Sequence, residues 1–181
     1  GHNDLPITIR GAKGAPGKIT YSSAGIGTSH HLLGEWLNSE AGIDLVHVPF
    51  KGGTSPLTEV VSGRVDVMIE TMTLTLPQIK GGKLKALAVT SPESVDFLPG
   101  VPPAVQTVNG LEFQSWLGLA GPAGLPAPVL ERLNRDLRAA LDMPDVRKRR
   151  ADLGGAAAPV APEVMRAQVE REIARWNVLV D

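Results

Sequence analysis

The stretch at residues 21–30, YSSAGIGTSH, decides how this chain is interpreted. It follows a short apolar segment and precedes an amphipathic one, so it indicates a strand, a glycine-rich turn and a helix start. The same order recurs where residues 45–50 (LVHVPF) lead into residues 51–54 (KGGT) and a second helix-like segment. In a parallel sheet both turns would lie at one edge, where the unpaired N–H groups of two helix N-termini could bind an anion.

The composition is that of an ordinary globular protein. Of the 181 residues, 43% are hydrophobic and 20% are charged, which suits a soluble domain with a full core. The net charge of −1 gives no electrostatic reason to expect nucleic acid or an anionic membrane surface. The absence of cysteine excludes disulfides and thiolate chemistry, and no apolar run approaches the ~20 residues of a membrane span.

Short β-type segments alternate with helical ones in the first half of the chain, which predicts a parallel α/β sheet. Thr28 or Ser29 should cap the first helix of this part and Gly42 should end it. Residues 11–17 are rich in glycine and are expected to be poor helix material. Strands are predicted at residues 19–22, 43–48, 65–69 and 84–90, and a short helix at residues 73–80.

The second half has a different character. Four prolines between residues 92 and 103 mark a loop-rich passage. Residues 112–120 are apolar enough to predict a strand that crosses the molecule. From there the pattern is helical, with helices predicted at residues 129–141, 144–153 and 162–180.

Residues that could carry catalysis lack suitable partners. His30 and His31 are adjacent and therefore diverge around a helix, and no HExxH spacing accompanies them. Neither Ser22 nor Ser23 sits in a GxSxG turn, and His47 alternates with valines as a structural strand residue would. We therefore expect no metal, no cofactor and no enzymatic activity.

An anion site is the more promising hypothesis, although the glycine turns alone do not decide it. Gly25 and Gly27 are not followed by the third glycine of a dinucleotide fingerprint, so two tight βα turns without a ligand are an equally good interpretation. Glu70 and Thr71 fall at the carboxyl end of a predicted strand, where open α/β sheets place ligand groups. Lys51 is the one cation within these turns.

Five ordered blocks resemble those of the solute receptors of tripartite tricarboxylate transporters, the TctC or Bug family. The resemblance covers nearly the whole chain, and the order of the blocks makes it specific. The last helix, around EIARW at residues 172–176, is also similar. The blocks are KITYSSAGIGT at residues 18–28, VPFKGG at 48–53, GRVDVM at 63–68, GKLKALAVTS at 82–91, and SWLGL at 115–119 with PAG at 122–124.

The resemblance implies a periplasmic-binding-protein type II architecture, in which two hinged α/β domains enclose a cleft. Residues 1–18 would be an N-terminal remnant or linker, and residues 19–113 the complete ligand-binding domain. Residues 114–181 would supply a crossover strand and C-terminal helices of the other domain. The family begins with a further segment that forms the opposite side of the cleft and is not present here, and residues 8–16 are shorter than the family's equivalent helix.

The resemblance also implies a function. Family members are periplasmic, bind small carboxylates largely through backbone amides, and pass them to membrane permease subunits without catalysis. The alternatives are an α/β enzyme fragment with an anion site in its βα turns, and a scaffold fragment that binds nothing. Exposed helical faces in the second half predict a possible homodimer through exchanged C-terminal helices. The expected ligand-binding residues are Ser22, Ser23, Gly25, Ile26, Gly27, Thr28, His30, Phe50, Lys51, Gly52, Gly53, Glu70 and Thr71.

Overall fold

A computed structural model describes residues 4–52, 54–155 and 160–180. The chain divides into two compact units, one ending at Ser115 and the other beginning at Trp116. The first unit contains the only sheet found among the described residues, and the second is helical.

The sheet has three short parallel strands in the order β2-β1-β3. The register pairs Thr20 with Val46 and Tyr21 with Val67, so β1 lies in the centre. The parallel α/β prediction is confirmed, although the strands are shorter than expected and are shifted by one to three residues. The strands are β1 (Thr20–Ser23), β2 (Val46–Pro49) and β3 (Val67–Met68).

Four helices accompany these strands. Helix α1 precedes β1, α2 and α3 make the crossovers that parallel strands require, and α4 follows β3. A 3₁₀ turn, Ala104–Gln106, follows later in the same unit. The helices are α1 (Leu5–Gly14), α2 (Ser29–Ala41), α3 (Ser55–Val61) and α4 (Met72–Lys80).

Helix α1 corrects the expectation that the glycine-rich start would resist helix formation. Asp4 caps it by accepting the Ile7 N–H at 2.7 Å. Leu5, Thr8 and Ala12 are buried on one face. The cap and this buried face offset the roughly 1 kcal/mol that each helical glycine costs.

Helix α2 is defined at both ends by the predicted residues. Thr28 is the N-cap and accepts the His31 N–H at 3.4 Å. Gly42 ends the helix in the left-handed conformation, at φ +59°, where a side chain would be strained. Leu33, Trp36 and Leu37 are buried, as the helical periodicity indicates.

Two predicted strands are wrong. Residues 84–88 are irregular, and Val89 makes a single parallel bridge to Pro103. Because the neighbouring segment contains Pro102 and Pro103, which have no N–H, it cannot continue a ladder. Residues 112–120 are also irregular, since no strand lies beside them in the part of the chain that the structure describes.

The second unit consists of α5 (Ala127–Asp142), α6 (Pro144–Asp152) and α7 (Pro162–Val180), close to the predicted bounds. Trp116 Nε1 donates to Glu172 Oε1 at 2.7 Å. No residue of α5 or α6 is buried. Helix α5 therefore exposes an apolar stripe formed by Val129, Leu130, Leu133 and Leu137.

Candidate functional site

The carboxyl ends of all three strands lie at one edge of the sheet because the strands are parallel. We call the segment after β1, residues 24–28, the first loop, and the segment after β2, residues 50–54, the second loop. Glu70 follows β3 two residues beyond its end. The sheet thus brings together the three segments that contain most of the predicted site residues.

Hydrogen bonds to the side chains of Ser23 and Thr28 hold the first loop in place. Gly25 has φ +140° and Gly27 has φ +79°, both in the region that favours glycine. The Gly25 N–H donates to Ser23 Oγ at 3.1 Å, and Thr28 Oγ1 donates to the Gly25 carbonyl at 2.7 Å. Ile26 at the tip of the loop is 78% exposed.

The second loop lies directly against the first. The Phe50 N–H donates to the Ser23 carbonyl at 3.0 Å, and the Gly52 N–H donates to the Ala24 carbonyl at 2.9 Å. A Cβ on Gly25 would lie 3.2 Å from the Phe50 carbonyl oxygen, so the two backbones approach closely. Lys51 is exposed. Gly53, also predicted for the site, lies outside the described residues.

These contacts change which backbone donors are free for a ligand. The N–H groups of Gly25, Gly27 and Gly52 all donate within the protein. Within the described chain, no acceptor is found for the N–H groups of Ser29 and His30, which open the first turn of α2. The free donors of the site include the two at the helix N-terminus, where the helix dipole also favours an anion. The N–H groups of Ile26 and Lys51 in the two loops likewise find no acceptor within the described chain.

A histidine and a glutamate form a close contact beside this helix N-terminus. His30 Nε2 is 3.1 Å from Glu70 Oε1, and the Glu70 side chain is only 7% exposed. The same oxygen accepts from the Thr71 N–H at 2.7 Å and from Thr71 Oγ1 at 3.1 Å. Burial raises the pKa of Glu70, but these bonds outweigh it and leave the pKa below its ordinary value. Glu70 is therefore a carboxylate at neutral pH.

A second polar cluster lies between α2 and the sheet, and sequence reasoning missed it. Ser23 Oγ is 2.6 Å from His47 Nε2. The His47 ring stacks on Tyr21, with centroids 4.8 Å apart, and lies 4.2 Å from the ring of His31. The strand register, which pairs Tyr21 with His47, creates these contacts, and no local sequence pattern reveals a register.

The Ser23–His47 pair has the atoms of a nucleophile and its base, but a substrate has no access to the Ser23 hydroxyl. Ser23 is 1% exposed and its Oγ is already bonded to the Gly25 N–H. Ser22, on the opposite face of the same strand, is fully buried and its hydroxyl has no partner among the described residues. A substrate could not reach either hydroxyl without opening the loop. In the described chain, no group of three or more His, Asp or Glu side chains comes together as metal ligands would.

Solved structures identify the class of protein. The periplasmic binding protein BugD superposes with a TM-score of 0.90 at 33% identity, over 98% of this chain and 60% of that one. MatC from Rhodopseudomonas palustris, solved with bound malate, superposes with a TM-score of 0.90 at 32% identity, over 98% of this chain and 62% of that one. The predicted periplasmic-binding-protein architecture is confirmed.

The family follows from the sequence comparison. The model of the tripartite tricarboxylate transporter family receptor, TctC, matches residues 2–181, and this chain belongs to that family. A UPF0065 protein encoded in the tcbD-tcbE intergenic region of a Pseudomonas species is 36% identical over 179 residues. That alignment covers 98% of this chain and 53% of the relative, so the chain spans about half the relative's length.

Proposed function

We propose that this chain is part of an extracytoplasmic receptor that captures a small carboxylate and delivers it to the permease subunits of a tripartite tricarboxylate-type transporter, without catalysis. Membership of the TctC family supports the receptor and its transporter. The likeness to BugD, a periplasmic binding protein, supports a periplasmic location. No helix among the described residues is long and apolar enough to cross a membrane.

The observation that carries the proposal is the pair of free N–H groups at the start of α2. Ser29 and His30 offer these donors at the edge where the first and second loops meet. A carboxylate placed there would receive two charge-assisted hydrogen bonds and would complement the helix dipole.

The same contacts favour a carboxylate over a sugar or an amino acid. Aromatic residues make up 4% of the chain, so stacking surfaces for a sugar are scarce. Glu70 is the acidic group that could receive an ammonium ion, but its Oε1 already accepts from His30 and twice from Thr71. Malate in MatC is a carboxylate bound by a structural relative and supports the same class.

A proline substitution tests the backbone donors directly. Proline suits the first position of a helix and has no N–H, so Ser29→Pro removes one donor while keeping the helix. Thr28 has φ −73° and ψ 158°, the extended conformation that a residue before proline prefers. Ser29→Ala is the matched control, since it removes the side chain and keeps the N–H.

Calorimetric titration with malate, succinate and adipate should show binding to the wild-type protein and to Ser29→Ala. Loss of a hydrogen bond to a charged group should weaken binding to Ser29→Pro by about ten- to a hundredfold. Equal affinities for the two variants would remove the α2 N-terminus from the site. A response to amino acids with none to any carboxylate would overturn the ligand class.

Two further parts of the proposal concern the second unit. We infer that its helices belong to the other domain of the receptor cleft. The apolar stripe on α5 is exposed, with Leu133 45% exposed, which supports the inference that these helices pack against another segment of the receptor. A homodimer that exchanges these helices would cover that stripe in the chain as it stands.

An α/β enzyme fragment is the weaker alternative, because the Ser23–His47 pair is buried.

A further inference from the structure

The polar cluster behind the first loop controls both of that loop's glycine N–H groups. Gly25 donates to Ser23 Oγ at 3.1 Å, and Ser23 Oγ in turn contacts His47 Nε2 at 2.6 Å. Gly27 donates to His31 Nδ1 at 3.3 Å. The loop's backbone is therefore tied to two histidines whose rings lie 4.2 Å apart.

The bond from Gly27 fixes the tautomer of His31. Because Nδ1 accepts the Gly27 N–H, it carries no proton, and the single proton of the neutral ring must be on Nε2. Nε2 faces Glu35 Oε1 at 4.0 Å, which suits that assignment. A second proton on the ring would have to bind Nδ1 and would point at the Gly27 N–H. Two donors would then face each other and the bond would be lost.

The surroundings of His47 disfavour a charge on that ring. Burial lowers the pKa of His47, the nearby His31 lowers it further, and Glu35 acts in the opposite direction. His31 lies nearer to Glu35, whose side chain is about half exposed and also accepts from Tyr21 Oη at 2.6 Å. Two charged rings at 4.2 Å would repel each other, so a charge on one ring opposes a charge on the other.

We propose that His31 is a positioning residue: its neutral ring holds the first loop in the shape that presents the α2 N-terminus to a ligand, and its protonation releases Gly27 and loosens the loop. The titratable groups that face His31 are Tyr21 on β1, His47 on β2 and Glu35 on α2. The effect on a ligand rests on the proposed carboxylate function, whereas the effect on the loop does not.

A definite pH dependence follows. If binding requires the bond between the Gly27 N–H and a neutral His31 ring, the Kd for a carboxylate should rise as the pH falls, by up to about tenfold per pH unit once the ring is protonated. Simple attraction between a protonated histidine and an anion would give the opposite sign, with tighter binding in acid. The direction of the change therefore distinguishes positioning from electrostatic attraction.

The loop can be tested without a ligand by following the Gly27 amide resonance of the protein from about pH 8 to about pH 5. In the wild type, this resonance should move with the same midpoint as the His31 ring. His31→Asn, whose amide oxygen is attached to Cγ as Nδ1 is and so can accept the Gly27 N–H without titrating, should remove the movement. Glu40→Gln, an exposed charge change on the same helix, should leave it intact. A Gly27 resonance that stays fixed while His31 titrates would overturn the proposal.

The binding arm uses malate and succinate over the same pH range. Weaker binding in acid for the wild type, with a flatter profile for His31→Asn, would support the proposal. Tighter binding in acid would overturn it. If neither acid binds at any pH, the receptor function fails at that point, and the Gly27 resonance alone decides whether His31 positions the loop.

Discussion

Gly34 of α2 leaves room for the phenol ring of Tyr21, and no larger residue could do so. A Cβ built on Gly34 would overlap the ring and lie 2.7 Å from the Tyr21 hydroxyl oxygen. Tyr21 is fully buried, and its hydroxyl donates to the carboxylate of Glu35, the residue that follows Gly34 in α2. The distance between α2 and the central strand is therefore set by a glycine and a tyrosine.

Gly34→Ala should destabilise the protein even though alanine is the better helix former. The methyl group must displace either the Tyr21 ring or the helix, at a cost of about 3 kcal/mol or more. Gly11→Ala in α1 is the matched control, because its Cβ would make an ordinary contact of 3.7 Å with Ile19. That variant should be neutral or more stable by about 1 kcal/mol. Urea denaturation compares the two, and similar midpoints would contradict the steric argument.

Glu70 should contribute to stability at neutral pH and lose that contribution in acid. The pKa of Glu70 is lower in the folded protein than in the unfolded chain, so the ionised side chain stabilises the fold. This stabilisation is complete at a pH above the pKa of the unfolded chain. It disappears as the pH falls through the pKa of the folded protein. Glu70→Gln should lower the free energy of unfolding at neutral pH by about 1–3 kcal/mol, through weaker bonds to His30 and Thr71.

The measurement for Glu70 is denaturation at neutral pH and again below about pH 4. The difference between wild type and Glu70→Gln should shrink in acid, where the wild-type carboxylate becomes protonated. Glu93→Gln, which changes an exposed carboxylate, should show little difference at either pH. If the difference in unfolding free energy between Glu70→Gln and wild type stayed constant with pH, the ionised carboxylate could not be the cause of that difference.

Gly25→Ala should weaken ligand binding by about tenfold or more, because the first loop must move away from the second. The new methyl group would lie 3.2 Å from the Phe50 carbonyl oxygen, at a φ of +140° that strains any side chain. Gly63→Ala is the control, since it also has positive φ, at +74°, but meets no atom within 4 Å. It should cost about 1–2 kcal/mol of stability and leave malate binding unchanged. Calorimetric titration of both variants with malate distinguishes a local effect from general destabilisation. Equal losses of affinity in the two variants would show that the loop contact is not the cause.

Purified chain should sediment as a dimer or larger species at high concentration. The stripe on α5 leaves leucines such as Leu133 and Leu137 about 40% exposed, and covering them with a second copy is favourable. Leu133→Glu should shift the distribution toward monomer. Arg132→Glu, on a polar and exposed position of the same helix, should not. A strictly monomeric profile with intact helix content would contradict the dimer.

The local features of the fold could be predicted from the sequence because neighbours along the chain create them. Thr28 and Gly42 mark the ends of α2, and the first and second loops have the glycines that a tight strand-to-helix turn needs. The failed strand at residues 84–90 has a suitable pattern as well. What it lacks is a partner segment with free N–H groups, and this depends on prolines more than ten residues away.

Contacts across the sheet were beyond sequence reasoning for a related reason. The alternation of His47 with valines indicates a structural strand residue, and it does not reveal that the register of β1 and β2 places His47 against Tyr21, Ser23 and His31. A shift of the register by one residue would have moved it to the other face. The His30–Glu70 pair likewise joins α2 to the end of β3 across 40 residues.

The donors at Ser29 and His30 belong to the main chain, and this has an evolutionary consequence. A side-chain ligand can be lost through many single substitutions, whereas a backbone N–H survives every substitution except proline. The proposed anion site would therefore be robust to mutational drift in the first turn of α2. Side chains around it could vary, so a receptor built in this way could change its ligand while the backbone donors stay the same.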